Sequence, residues 1–301
     1  MPLDVANAQG AMTGARFRAS LQDGRKVYLN GQQVEVTTHP AFAGLLGELC
    51  RLYDLQHTDE NREVMTFAAP SGRRLSTNYL LPTNAAQLAQ RRANAEQWSR
   101  ESWGLLTASP EFMASALVGL YDFRNELGAK NADWGKNAAA YVQYAAEHDL
   151  FVTHSIAEPQ VTRSELYPGQ EIRPGSELEV VEQRADGIVV RGVRNLTTMA
   201  PLANEVFVFY TSERKQEDST TAIQWFALPL NAPGVSILCS EPRSPHSEAD
   251  GHPLVGRYGE FDAAVFFDNV FVPNERVFLL GEQALAQQGL DTLKQWLTFS
   301  G

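Results

Sequence analysis

Cysteine is scarce in this chain. Cys50 and Cys239 are the two among 301 residues, and neither sits in a CxxC or Cys/His spacing. A disulfide framework, an iron–sulfur cluster and a structural zinc site are therefore excluded as readings. Histidine is also sparse: six are scattered singly, at 39, 57, 148, 154, 246 and 252, with no pair at the helical spacing of metal ligands. No metal is expected. Basic charge is in deficit, since 25 Lys and Arg against 36 Asp and Glu leave a net charge of −11. With no basic cluster to offset it, this argues against a nucleic-acid partner. No window approaches the roughly 18 apolar residues of a membrane span, and the opening MPLDVANAQGAMTGARF lacks an apolar signal core. The expectation is no membrane and a cytoplasmic location. Also missing are a GxGxxG after a strand, a phosphate-loop GxxxxGKS/T, an HExxH and a GxSxG. A Rossmann dehydrogenase, a P-loop enzyme, a zincin and an α/β-hydrolase all lose their signatures.

What is present is 44% hydrophobic residues, enough for one large core or two smaller ones. In KVYLNGQQVEV, Asn30-Gly31 separates two β-prone runs and predicts a tight hairpin, an arm expected to pack on the helices that follow. Residues 40–55 open with proline at a first-turn position and carry Phe42, Leu45, Leu49, Leu52 and Tyr53 on one face, which predicts a helix. Residues 66–82 are punctuated by Gly, Ser and Pro and read as a loop with one short strand at NYLL. A polar-faced helix is predicted over 84–103. Ser109-Pro110-Glu111 marks another helix start, with a capping serine, a proline whose missing N–H costs nothing and an acid at the positive end. Met113, Leu117, Leu120, Tyr121 and Leu127 line one side of that helix. A further helix over 132–148 carries Trp134, Ala138, Tyr141, Val142 and Ala145 on one stripe.

Beyond residue 163 the pattern changes to short strands. LEVVEQRADGIVVRGVRN is two β runs about Asp186-Gly187, and NEVFVFYTS, AIQWFALPL, GVSILCS and DAAVFFDNVFV continue the series. Residues 212–221, SERKQEDSTT, read as an exposed loop. Helical character returns at 282–297. The fold class is α+β: a helical N-terminal domain at 1–150 with its β-hairpin arm, a central antiparallel β-sandwich or barrel domain at 151–281, and a C-terminal helix stub at 282–301. The seam between the halves, FVTHSIAEPQVTR at 151–163, holds His154 and Arg163, and such a seam suits a ligand crevice. A lone His is more often a satisfied core or surface residue, and a lone Arg a surface ion pair. Position at the seam is what singles them out.

Five strings carry a resemblance: DGRKVYLNGQQVEVTTHPAF, DLFVTHSIAEPQVTR, DGIVVRGVRNLTTMAPLANEV, ALPLNAPGVSILC and FDAAVFFDNVFVPNERVFLLG. In order and separation they resemble the oxygenase component of two-component 4-hydroxyphenylacetate 3-monooxygenases, from Asp23 to Gly281. The resemblance implies an acyl-CoA-dehydrogenase-like fold whose C-terminal helical bundle is represented here by one helix. It implies a phenol ortho-hydroxylase that takes reduced FAD by diffusion from a separate flavin reductase, uses O2 through a C4a-hydroperoxyflavin, acts on a phenolic substrate and assembles as a homotetramer.

Carried over by position, the resemblance makes His154 the catalytic histidine, near both flavin and substrate, where an imidazole would hydrogen-bond the phenol oxygen. Gln160, Val161, Thr162 and Arg163 match a flavin-contacting run, as do Thr198 and, by adjacency, Thr197. Thr211 and Ser212 match a substrate loop, for which the plain alternative is a strand end. One departure stands out. The family's phenol-binding Arg and Tyr, in an RSPDY-like run, are replaced by Ala108 and Phe112 in ASPEF. A charged contact worth on the order of 1.5–3 kcal/mol is lost there, so a substrate larger or less polar than 4-hydroxyphenylacetate is expected. Two alternatives remain open: a catalytically silent or truncated homologue acting as a scaffold, and a flavin dehydrogenase-like relative.

Overall fold

Prolines 40 and 110 open two helices in the computed structural model, which describes residues 3–157, 177–209, 223–240, 251 and 253–300. In the first half, α1 (Gly14–Ser20) precedes a hairpin of β1 (Val27–Leu29) and β2 (Gln32–Val34), followed by α2 (Pro40–Leu55) and α3 (Arg62–Met65). Strands β3 (Thr66–Ala68) and β4 (Arg74–Ser76) pair only with each other. Four helices complete this half: α4 (Ala85–Glu101), α5 (Pro110–Asp122), α6 (Arg124–Lys130) and α7 (Ala132–His148). The caps are those the sequence chemistry favours. Asn84, Ser109 and Asn131 each accept a backbone N–H of the first turn, which satisfies donors that a helix start leaves orphaned.

The second half supplies β5 (Val152–Ser155), β6 (Glu179–Gln183), β7 (Gly187–Arg194), β8 (Glu205–Val208), β9 (Gln224–Pro229) and β10 (Val235–Cys239). After these come α8 (Pro253–Tyr258), β11 (Ala263–Pro273), β12 (Val277–Leu280) and α9 (Gln283–Ser300). A six-stranded sheet runs β2-β1-β10-β11-β7-β6, and a four-stranded sheet runs β12-β9-β8-β5. Most pairs are antiparallel, but β1 with β10 and β5 with β8 are parallel. Among the described residues no helix is long and apolar enough to cross a membrane.

The four-stranded sheet is apolar on both faces. Val206 and Val208 of β8 and Phe226 and Leu228 of β9 pack toward α2 and the six-stranded sheet. Their neighbours in sequence, Phe207, Trp225 and Ala227, pack toward α5, α7 and α9. Period-two alternation thus divides one short run between two cores, so these strands read as unbroken hydrophobic blocks. A buried ion pair crosses this region. Glu205 accepts from Arg276 at 2.7 Å and from the Tyr141 hydroxyl at 2.9 Å, fastening α7 to β8 and to the turn before β12.

Three expectations are corrected. The β1–β2 arm is not packed on helices alone: it shares a core with α1 and α2, but Val27 also pairs with Ile237, and the hairpin extends the edge of the six-stranded sheet. There β1 gains backbone partners and buries Val27 and Leu29 in the core. The segment 66–82, expected as a loop, carries the β3–β4 pair, and its NYLL stretch is no strand but a 3-10 turn, Thr77–Tyr79. The buried Arg91 guanidinium takes the carbonyls of Asn78 and Leu80 at 2.7 and 3.1 Å, so the backbone there needs no sheet partner. The helix from Pro110 stops at Asp122, which leaves Leu127 on α6.

Candidate active-site cleft

Strand alternation decides which way His154 faces. In β5 the side chains of Thr153 and Ser155 turn to the buried side, where Thr153 donates to the Thr198 carbonyl and Ser155 meets the Thr197 hydroxyl at 2.8 Å. His154, between them, faces the other way, toward α5. It lines a cleft of about 540 Å³ with Ala108, Phe112 and Met113 from the α5 start, Thr198 from the turn after β7, and Leu290, Leu293 and Leu297 from α9. Thr107, Ile156, Phe209 and Lys294 complete the lining. The volume is within the range of small-molecule sites.

The sulfur of Met113 contacts this imidazole. His154 Nδ1 lies 3.3 Å from Met113 Sδ. A thioether has no hydrogen to give, so this contact favours the tautomer with the proton on Nδ1, which leaves Nε2 as the acceptor nitrogen. Burial pushes the His154 pKa below its ordinary value, and the nearby Asp262 carboxylate opposes this only in part. The ring is thus held neutral, with an acceptor nitrogen available in an apolar surround.

Two carboxylates from one short segment hold the cleft's walls. Glu260 accepts from the Thr107 hydroxyl at 2.5 Å and from the Ala108 N–H at 2.7 Å, which anchors the chain just before α5. Asp262 accepts from the Thr198 hydroxyl at 2.8 Å, a charge-assisted bond worth about 1.5–3 kcal/mol. The turn bearing Thr198 is strained, because Leu196 and Met199 hold φ values of +53° and +67°. Backbone bonds from Thr197 N to the Ala263 carbonyl and from Met199 N to the Phe261 carbonyl, at 2.9 and 2.8 Å, keep it in place. On the far side α9 lies close against its neighbours. A Cβ on Gly119 would fall 3.1 Å from Leu293 Cα, and one on Gly289 would fall 2.5 Å from the Trp225 ring.

The structure therefore brings together His154, Thr198, Ala108 and Phe112, which come from three separate stretches of sequence. Thr197 is not with them, because its hydroxyl is buried against Ser155. Gln160, Val161, Thr162, Arg163, Thr211 and Ser212 lie outside the described residues. Sequence reasoning missed Met113 as a partner of His154, the carboxylates Glu260 and Asp262, and the α9 wall. Met113 was legible only as a core position, and a lone acid between a helix and a strand carries no signal.

The family model described as "4-hydroxyphenylacetate 3-hydroxylase N terminal" matches residues 13–279. A 4-hydroxyphenylacetate 3-monooxygenase oxygenase component from Geobacillus sp. (strain PA-9) is 34% identical over 283 residues, covering 92% of this chain and 56% of the relative. A crystal structure of the oxygenase component (HpaB) of 4-hydroxyphenylacetate 3-monooxygenase superposes with a TM-score of 0.83 at 32% identity, covering 96% of this chain and 62% of that one. The same component complexed with FAD and 4-hydroxyphenylacetate superposes with a TM-score of 0.81 at 31% identity, with the same coverage. The chain spans about half the length of the curated relatives it matches.

Proposed function

The chain belongs to the 4-hydroxyphenylacetate 3-hydroxylase family, and from that premise we propose that it carries the substrate cleft of an FADH2-dependent phenol ortho-hydroxylase. The observation that carries the reading is the His154 imidazole in an otherwise largely apolar cleft, its Nδ1 beside Met113 Sδ and its pKa lowered by burial, an arrangement that favours Nε2 as the acceptor nitrogen. Such a nitrogen accepts the hydrogen bond of a phenol O–H. By drawing electron density toward the oxygen it makes the ring carbon ortho to it more nucleophilic.

The cleft's lining fits a flavin ring beside a phenol: flat apolar surface from Phe112, Phe209 and Met113, with the Thr198 hydroxyl and the imidazole as polar contacts. In this reading His154 and Thr198 meet the FAD, Gln160, Val161, Thr162 and Arg163 extend its site, and Ala108, Phe112, Thr211 and Ser212 face the substrate. Bound in its reduced form, FAD supplies together with O2 the oxygen atom that enters the ring. The chain's own contribution is to orient the phenol, accept its hydrogen bond and keep water away from the reacting oxygen. The relatives' designation as an oxygenase component supports a separate reductase as source of the reduced flavin. A homo-oligomeric assembly, a cytoplasmic location, and a division into 1–150, 151–281 and the start of a helical bundle at 282–301 belong to the same proposal.

The test is conversion of simple phenols to catechols by the chain, supplied with FAD, NADH and a flavin reductase. His154→Ala is expected to cut hydroxylation by about a hundredfold or more, while O2 is still consumed and emerges as hydrogen peroxide. Failure of the unaltered chain both to bind reduced FAD and to form catechol would overturn the proposal.

A further inference from the structure

The cleft is electrically lopsided. Its rim residues Thr107, Ala108 and Thr198 are each tied to a carboxylate, Glu260 for the first two and Asp262 for the third. On α9, Leu290, Leu293 and Leu297 recur at helical spacing along the wall, and Lys294 stands among them. With His154 neutral, Lys294 is the one charged side chain in the described lining. Among the described residues it makes no ion pair, with Glu260, with Asp262 or with any other acid.

We propose that Lys294 is a specificity-determining residue that receives an anionic substituent of the phenol, so that the ligand lies with its hydroxyl at His154 and its acid at α9. The inference rests on the phenol reading above and adds the substrate's charge and direction. An acidic group turned toward the Glu260 and Asp262 side would meet like charge, which is unfavourable in a cleft walled by apolar side chains. Turned toward α9 it meets the exposed Lys294, which shares the lining with Leu290, Leu293 and Leu297. Phe112 and Phe209 in the same lining offer apolar surface for the aromatic part. This narrows the larger or less polar substrate expected from Ala108 and Phe112 to one that keeps an acidic group.

The experiment compares two ligands of equal shape, 4-hydroxyphenylacetate and its neutral amide, by calorimetric titration of the chain at low salt. Lys294 is exposed, so Lys294→Met leaves folding intact. The unaltered chain is expected to prefer the acid by about threefold to fivefold, the range of a partly solvated ion pair, and to lose the preference as salt rises. Lys294→Met should abolish the preference by weakening the acid alone, and Lys294→Arg should keep it. Equal binding of acid and amide by the unaltered chain, or an unchanged ratio in Lys294→Met, would overturn the proposal and leave the phenol reading standing. If neither ligand binds, the phenol reading falls and this one with it.

Discussion

The Thr198 hydroxyl and the Asp262 carboxylate meet at 2.8 Å, and this bond links a strained turn to the environment of the His154 imidazole. Asp262 is also the charge that raises the His154 pKa against the lowering by burial. One carboxylate thus sets the position of a cleft hydroxyl and the electrostatics of the ring beside it.

Asp262→Asn separates those roles, because the amide oxygen still accepts from Thr198 while the charge is gone. The His154 pKa is expected to fall further below its ordinary value, read from an NMR titration of the imidazole Cε1–H. Stability should change by less than about 1.5 kcal/mol, since a hydrogen bond remains. A raised pKa would show that Asp262 does not act on the ring.

Met113→Leu keeps the volume of the side chain and removes its acceptor, at a cost below about 1.5 kcal/mol. The proton should then no longer be confined to Nδ1. Imidazole 15N shifts are expected to move from one dominant tautomer toward a mixture. An unchanged spectrum would mean that some other group holds the ring.

The pH dependence has a definite sign. The folded-state His154 pKa lies below the unfolded value of about 6.5, so between the two the unfolded chain binds more protons. Stability is then complete above about pH 6.5 and is lost as pH falls toward the folded pKa. Phenol affinity should decline as pH drops through that lower value, when Nε2 is protonated and can no longer accept. The stability slope of the unaltered chain minus that of His154→Gln, from urea unfolding between pH 5 and 8, isolates this one group from the other acids.

Glu205→Gln tests the buried pair. Arg276 would keep its charge in a dry interior with a neutral partner, while Tyr141 loses a charged acceptor. A loss of about 3–5 kcal/mol is expected in chemical denaturation. A loss near zero would mean that the region relaxes to admit water.

Local chemistry made much of the helical half legible. Pro40 and the stripe from Phe42 to Tyr53 gave α2, and the stripe from Trp134 to Ala145 gave α7. Asn30-Gly31 marked its hairpin for the same reason, since both residues hold positive φ. What lay hidden were relations across long separations: β1 against β10, Met113 beside His154, Glu260 bonded to Ala108, and Lys294 in the same cleft lining as His154. No local period reports such a contact. The strand misread at NYLL failed because a buried arginine took backbone carbonyls that a sheet would otherwise have claimed. The cleft was approached through His154, Thr198, Ala108 and Phe112 by way of a family likeness, and the acids behind them only became visible in three dimensions.

The pairing of Val27 with Ile237 also bears on how the chain reaches this state. The residues of the hairpin are made early, yet the strand it docks on lies some two hundred residues later. Contacts of such separation slow folding, because a long loop must close before they repay its entropy. During synthesis β1 therefore waits as an uncovered sticky edge, open to any other unpaired strand. Crowded expression should make this hairpin an early site of misassembly, and slowed translation or a chaperone that shields residues 27–34 should raise the yield of folded protein.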